Sequence, residues 1–178
     1  MTESVQAMNT TVRFSLDGKA VAVEVATTER LIDTLRLRLG TAGIRESCGV
    51  GACGTCSVLR NGYVVSACLL LTVMLEGDDL VSAEGALGSS THGAAVVQAF
   101  VDHRAYQCSF CTPAMALTAA SLTCSEPIEN VAHELAGNFC RCGSYPRVYG
   151  AVEKICGASR GNDDGVVNGQ QPEETVAS

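Results

Sequence analysis

Eight of the ten cysteines in this chain fall into two groups of four, one in each half, and the spacings differ. The first group reads Cys48-x4-Cys53-Gly54-x-Cys56-x11-Cys68, and the second reads Cys108-x2-Cys111 followed by Cys140-x-Cys142. Any fold for this chain has to gather each four. Four thiolates held near glycines are what a [2Fe-2S] cluster needs, because each of its two irons takes two cysteine sulfurs. Two such sets predict two clusters in one chain, and so a short electron wire rather than a site of bond-making.

The bulk properties narrow the field. A chain of 178 residues is long enough for one ordinary domain or two small ones, with one cysteine set in each half. Small halves have thin cores, and a metal cluster offsets that weakness because ligand binding to the folded state contributes folding free energy. With 12 Lys+Arg against 19 Asp+Glu the formal charge is −7, which gives nucleic-acid binding little electrostatic support. A secreted disulfide framework is the other reading of a cysteine-rich chain. The start, Met1-Thr2-Glu3-Ser4-Val5-Gln6, shows no basic region, apolar run or twin arginine, and no stretch approaches the ~20 apolar residues of a membrane helix. A cytoplasmic protein, where metal ligation is commoner than structural disulfides, is the expectation.

Patterning divides the chain. Val12, Phe14, Leu16 and Val21, Val23, Val25 alternate on either side of Asp17-Gly18, which predicts a hairpin over residues 11–26. Thr27 or Thr28 is placed to cap a helix running to about Leu39, with Leu31, Ile32, Leu35 and Leu39 on one face and Gly40 ending it. The glycine-rich cysteine loop follows from Arg45 to Cys56. A second hairpin, residues 57–60 and 63–67 around Asn61-Gly62, delivers Cys68. Residues 76–93, rich in Gly, Ser, Asp and Glu, read as a surface connection. Helical spacing then marks residues 94–103, 113–122, 128–136 and 146–155, with Pro113 and Pro146 in first turns, so a four-helix bundle is expected. The polar tail from Ser159 to Ser178 is expected to be disordered alone and to order on a partner. The fold class is thus α+β: a β-grasp domain over 10–80, a linker over 81–93, a helical domain over 94–157 and a tail over 158–178.

In the first set, Gly49, Gly51 and Gly54 stand between the cysteines, where glycine lets backbone N–H groups approach inorganic sulfur. Zinc sites usually present two short knuckles, whereas the asymmetric x4, x2, x11 spacing is that of the plant-type ferredoxin loop. The second set alone fits a zinc knuckle or a redox pair as well as a cluster. Its placement favours a cluster: both pairs sit just ahead of predicted helix N-termini, whose free N–H groups and positive dipole end stabilise thiolates.

Three segments together carry a resemblance. They are residues 46–56, ending Cys53-Gly54-Thr55-Cys56, then Gln107-Cys108-Ser109-Phe110-Cys111-Thr112-Pro113, then Gly137-Asn138-Phe139-Cys140-Arg141-Cys142-Gly143. With Cys68 they strongly resemble the small iron–sulfur subunit of molybdenum hydroxylases, the xanthine oxidase and carbon monoxide dehydrogenase family, over roughly Thr10 to Ile155. The resemblance implies a ferredoxin-like β-grasp domain with one cluster on Cys48, Cys53, Cys56 and Cys68. It also implies a helical domain with a second on Cys108, Cys111, Cys140 and Cys142. Gln107 and Cys142 match positions from which family members contact a molybdenum-pterin cofactor bound by a separate large subunit. A medium subunit carrying FAD is a further implied partner, and catalytic residues are expected on the large subunit. Departures are Ser109 and Ala114, where the family commonly has glycine, and Cys140-Arg141-Cys142-Gly143-Ser144-Tyr145, which looks more like members acting on N-heteroaromatics or aldehydes.

Cys124 and Cys156 fit neither set and read as buried small apolar groups. His92, His103 and His133 lack ligand spacing and read as surface or capping residues, and Asp78-Asp79 reads as solvated charge. Three competing functions remain: a stand-alone two-cluster carrier, the small subunit of a carbon monoxide dehydrogenase, and a zinc-binding interaction module. The iron–sulfur subunit of succinate dehydrogenase shares the first spacing but needs Cys-x2-Cys-x2-Cys-x3-Cys-Pro runs that this chain lacks.

Overall fold

In a computed structural model, which describes residues 8–122 and 128–159, two hairpins form where Asp-Gly and Asn-Gly stand between alternating apolar residues. Strands β1 (Asn9–Leu16) and β2 (Lys19–Ala26) pair antiparallel, as do β3 (Ser57–Arg60) and β4 (Tyr63–Ser66). Both turns take positive φ at their two central residues: 53° and 74° at Asp17 and Gly18, and 51° and 88° at Asn61 and Gly62. That backbone twist matches the flanking strands.

The hairpins are not neighbours. Strand β5 (Asp79–Val81) lies between them in a sheet of order β2-β1-β5-β3-β4, parallel to β1 and antiparallel to β3. Its Leu80 is fully buried, which stabilises the sheet by about 1.5–3 kcal/mol relative to an exposed side chain. Residues 76–93, expected as a surface connection, therefore supply the central strand, and they go on to helix α2 (Ala83–Gly88). Asp17 fastens that helix to the first turn: its carboxylate accepts the Ser82 N–H and the Ser82 hydroxyl, both at 2.7 Å. Asp78 is likewise structural: half-buried, it pairs with Arg60 at 2.7 Å, whereas Asp79 stays exposed, as expected, while accepting from the Ser15 hydroxyl.

Helix α1 (Leu31–Asp33) continues as a π-helical turn over Thr34–Arg38 and lays Leu31, Ile32 and Leu35 against the sheet. It starts later than the threonines suggest. Thr27 N–H still bonds Met8 C=O, Thr27-Thr28 form a turn closed by Glu29 N–H on Ala26 C=O, and Arg30 bridges Leu71 and is itself the N-cap, so neither Thr27 nor Thr28 caps. Gly40, at φ 71°, ends the helix as expected.

The helical layer comprises α3 (Thr91–Asp102), α4 (Thr112–Ser121), α5 (Ile128–Glu134) with a 3-10 turn over Leu135–Gly137, and α6 (Tyr145–Ser159). Helix α2 packs on α3 and α4, so among the described residues five helices rather than four share this layer. Ser90 caps α3, accepting the Gly93 N–H at 2.9 Å, so the helix starts at Thr91, three residues before the expected start. His103 is the C-cap of α3, and a Cβ on Gly150 of α6 would lie 2.9 Å from its Nδ1. Two apolar cores result. One joins Val12, Phe14, Leu31, Leu35, Val58 and Leu80 to Cys56 and Cys68, and the other joins Val96, Phe100, Met115, Leu135 and Val152 to Cys111 and Cys140. Cys156 is buried in the second core, as expected, whereas Cys124 and the tail beyond Ser159 lie outside the described residues. No helix among the described residues is long and apolar enough to cross a membrane.

Candidate functional site

The first four cysteines converge at one edge of the sheet. Cys48, Cys53 and Cys56 come from the loop between α1 and β3, and Cys68 from just past β4; Cys56 and Cys68 are buried while Cys48 and Cys53 are half-buried. Ala67 N–H bonds Cys56 C=O at 3.2 Å and fixes Cys68 beside that loop. Backbone donors point at sulfur: Val50 and Ala52 N–H reach Cys48 Sγ at 3.4 and 3.3 Å, and Gly51 N–H reaches Cys68 Sγ at 3.3 Å. Glycine is favoured at Gly51, where φ is 73° and a Cβ would lie 2.4 Å from Leu69 Cδ1 and push that side chain aside.

The second four come from two turns at helix ends. Cys108 and Cys111 precede α4, with Cys111 as its N-cap, and Cys140 and Cys142 lie between the 3-10 turn and α6. Cys111 and Cys140 sit in the helical core, while Cys108 and Cys142 are exposed. Tyr145 Oη accepts the Cys140 N–H at 2.7 Å and donates to Asn138 C=O at 3.3 Å, and Ser144 N–H reaches Cys140 Sγ at 3.4 Å. Gln107 is exposed, and its Nε2 donates to Cys142 C=O at 3.0 Å, tying the two turns together.

Among the described residues no three His, Cys, Asp or Glu side chains close on one point as a single ion requires. Within each four the thiols act on one another's protonation, Cys48 on Cys53 and Cys56 on Cys68 in the first, Cys108 on Cys142 and Cys111 on Cys140 in the second, so each four behaves as one donor set. Four thiol donors per site suffice for a dinuclear cluster, each iron taking two sulfurs.

The protonation environments repeat between sites. The Val50 N–H, then the Cys53 thiol, pull Cys48 down to about 7, and the Phe110 N–H, then Cys142, lower Cys108. Burial pushes Cys56 up to about 11 and Cys111 up to about 12, the latter helped by Cys140 beside it. Burial also raises Cys140, but hydrogen bonds from Ser144 and its neighbours outweigh it and leave the thiol lowered. A thiol held protonated by burial ionises when a metal takes the proton's place, so the donor sets fit clusters.

The two sites share a seam. Phe139 N–H donates to Cys53 C=O at 2.9 Å, and the buried Asn138 donates through Nδ2 to Gly54 C=O at 3.2 Å while accepting from Thr118 Oγ1 at 3.1 Å. A Cβ on Gly54 would lie 2.3 Å from Gly137 C=O. Cysteine spacing predicts each four together, but it assigns no role to Asn138, Thr118 or Tyr145. Asn138 reaches Thr118 and Gly54 across 20 and 84 residues, and Tyr145, five residues past Cys140, is marked by no ligand spacing.

Comparison with known proteins agrees with this geometry. Residues 14–87 match the 2Fe-2S iron-sulfur cluster binding domain family, and residues 83–153 match the [2Fe-2S] binding domain family. The nicotinate dehydrogenase small FeS subunit of Eubacterium barkeri is 32% identical over 145 residues, covering 80% of this chain and 92% of that protein. The crystal structure of quinoline 2-oxidoreductase from Pseudomonas putida 86 superposes with a TM-score of 0.78 at 30% identity, covering 88% of this chain and 99% of that one. The aldehyde oxidoreductase of Desulfovibrio desulfuricans ATCC 27774 superposes equally well, at 0.78 and 30% identity, with 85% of this chain matching 17% of a much longer one. The chain therefore belongs to the small iron–sulfur subunits of the molybdenum hydroxylases, the electron-transfer subunits of those oxidoreductases, with two [2Fe-2S]-binding domains.

Proposed function

We propose that Cys48, Cys53, Cys56 and Cys68 hold one [2Fe-2S] cluster and Cys108, Cys111, Cys140 and Cys142 the other. Gln107 and Cys142 then face a molybdenum-pterin cofactor on a larger partner subunit. The division into a ferredoxin-like domain over 10–80 and a helical domain over 94–157, with residues 81–93 as their junction, belongs to the same reading. When bound, the clusters supply one-electron acceptance and release.

The chain's own residues do the rest. The buried thiols anchor each site in an apolar core, and the N–H groups of Val50, Gly51, Ala52 and Ser144 offer hydrogen bonds to sulfur, the lever by which a protein tunes cluster potential. The Phe139 to Cys53 hydrogen bond links the two sites.

The observation that carries the partner is the exposed edge of the second site. Cys108, Cys142 and Gln107 lie open to solvent, whereas redox cofactors work where competing water chemistry is excluded, so a large molybdenum-bearing subunit is the natural cover. The long chain of the Desulfovibrio aldehyde oxidoreductase matches this fold over only 17% of its length, which supports a partner of that scale. Electrons leave by the first site toward an FAD subunit or an external acceptor, and the setting is cytoplasmic. The names of the relatives, which concern nicotinate, quinoline and aldehydes, favour an N-heteroaromatic or aldehyde substrate for the assembly.

Gentle purification of the chain from its native cells, with assay of iron, molybdenum and flavin in what accompanies it, tests the reading. Co-purification with a much larger molybdenum-containing chain is the expected result. Iron without molybdenum, on a chain that elutes alone, would make it a stand-alone carrier and remove the cofactor role of Gln107 and Cys142.

A further inference from the structure

The two cysteine loops touch through a side chain as well as through backbone. Arg45 lies three residues before Cys48, and its backbone is pinned to the first loop. Its N–H donates to Thr55 C=O at 3.1 Å, and its C=O accepts from Thr55 Oγ1 at 2.9 Å. The side chain runs the other way. Nη1 donates to Ser109 C=O at 2.6 Å, and the guanidinium carbon stands 5.6 Å from the centre of the Phe110 ring. Ser109 and Phe110 are the two residues between Cys108 and Cys111.

That turn needs a brace. Ser109 sits at φ 60°, in the left-handed region where a Cβ crowds the following carbonyl and which glycine enters freely. A neighbouring group must therefore hold it there. Arg45 has the shape for this, since its planar fork bonds the carbonyl of the strained residue while its face stacks on the next side chain. The conformation so held aims the Phe110 N–H at the Cys108 thiol, and hydrogen bonds to cluster sulfurs are a principal control of potential.

We propose that Arg45 is a positioning residue for the second site: from the first cysteine loop it braces the Cys108–Cys111 turn, and so sets the potential of the cluster held there. The proposal rests on the reading that Cys108, Cys111, Cys140 and Cys142 are ligands.

The test is a redox titration followed by electron paramagnetic resonance on the full chain in its native complex. Each cluster signal is assigned by its loss in Cys56→Ser or Cys111→Ser. Arg45→Ala is expected to lower the reduced-to-oxidised ratio of the second cluster about tenfold at fixed potential, equivalent to about 59 mV for one electron, and to broaden its signal. The first cluster's signal and potential stay in place. Arg45→Lys recovers part of the shift, because its ammonium can reach the same carbonyl without the stacked fork. Ser109→Gly added to Arg45→Ala restores the line shape, because glycine holds the turn unaided. If Arg45→Ala loses the second cluster outright, recovery of iron content by Ser109→Gly supports the brace and its absence overturns it. An unchanged second cluster in Arg45→Ala, or equal changes in both clusters, would also overturn it. A parent complex with a single cluster signal would instead sink the ligand reading on which the brace depends.

Discussion

The first cysteine site is drawn from a single stretch, Cys48 to Cys68, folded by a glycine loop and a hairpin, whereas the second is assembled from two turns at the far ends of α4 and α5. In the first, N–H groups of the loop itself reach two of the four sulfurs, and the partners are local. In the second, the cysteines depend on helix packing, on Tyr145 and on Arg45 reaching over from the other loop. A site made by a loop carries its own geometry. A site made by helix ends inherits its geometry from a core, and damage to that core should reach it.

Removing one buried cysteine from each site would divide the two most sharply. Cys56→Ser and Cys111→Ser should each drop iron from about four atoms per chain to about two, since each cluster holds two irons. They should differ in what else they disturb. Cys56→Ser is expected to leave the second cluster's signal intact. Cys111→Ser also unties two separate turns, at the start of α4 and before α6, which have no shared loop to hold them, and should lower stability in denaturant further than Cys56→Ser does, whose loop keeps its own hydrogen bonds. Iron content and urea midpoints of both variants decide it; equal losses of stability would erase the distinction between loop-made and core-made sites.

The seam between the regions gives the next largest effect. Gly54→Ala forces a Cβ to 2.3 Å from Gly137 C=O at a φ of 66°, whereas Gly62→Ala, at φ 88° in the second hairpin turn, meets nothing within 4 Å. Gly62→Ala should cost about 1–2 kcal/mol, the left-handed backbone penalty alone. Gly54→Ala should cost a further ~1–3 kcal/mol, because both loops must part to admit it. Denaturation of the two variants side by side measures the difference, and a Gly54→Ala no worse than Gly62→Ala would mean that the loops are not locked.

That seam also shows where the sequence was legible. Both hairpins followed from Asp17-Gly18 and Asn61-Gly62, because a two-residue turn with positive φ at both centres admits few residue types. The apolar face of α1 was readable, and so were Pro113 and Pro146 in first turns. Strand β5 was not: three residues, Asp79-Leu80-Val81, are too few for alternation to register, and acidic neighbours made them resemble surface chain. Asp78 looks solvated until Arg60 and Asn61 are brought beside it by pairing across the sheet. The grouping of cysteines was legible because ligand chemistry fixes spacing. Arg45 and Asn138 were not, because their partners lie 64 and 84 residues away in sequence.

The smallest effect compares the regions through their acids. Asp78 in the sheet is held below its usual range by the Asn61 amide, then by Arg60, with burial opposing. Asp102 on the helical side is lowered by Lys154 and Gln98, which lie at 2.5 and 2.7 Å, but on an open surface. A carboxylate whose folded pKa is depressed contributes stability above its unfolded value, here 3.8, and loses it as pH falls through the lower folded value. Asp78→Asn should therefore be less stable than the parent above about pH 5, and the gap should close below pH 3.8. Acid attacks cluster thiols alike in parent and variant, so the difference between them isolates the carboxylate. For Asp102→Asn the same closing is expected with a smaller gap, one that 0.5 M salt removes, because an exposed ion pair is screened and a part-buried one is not. Urea midpoints stepped from pH 6 to pH 3, with and without salt, read both. A salt-sensitive Asp78 gap would place that carboxylate at the solvent edge of the sheet rather than among the groups that hold β5 in its centre.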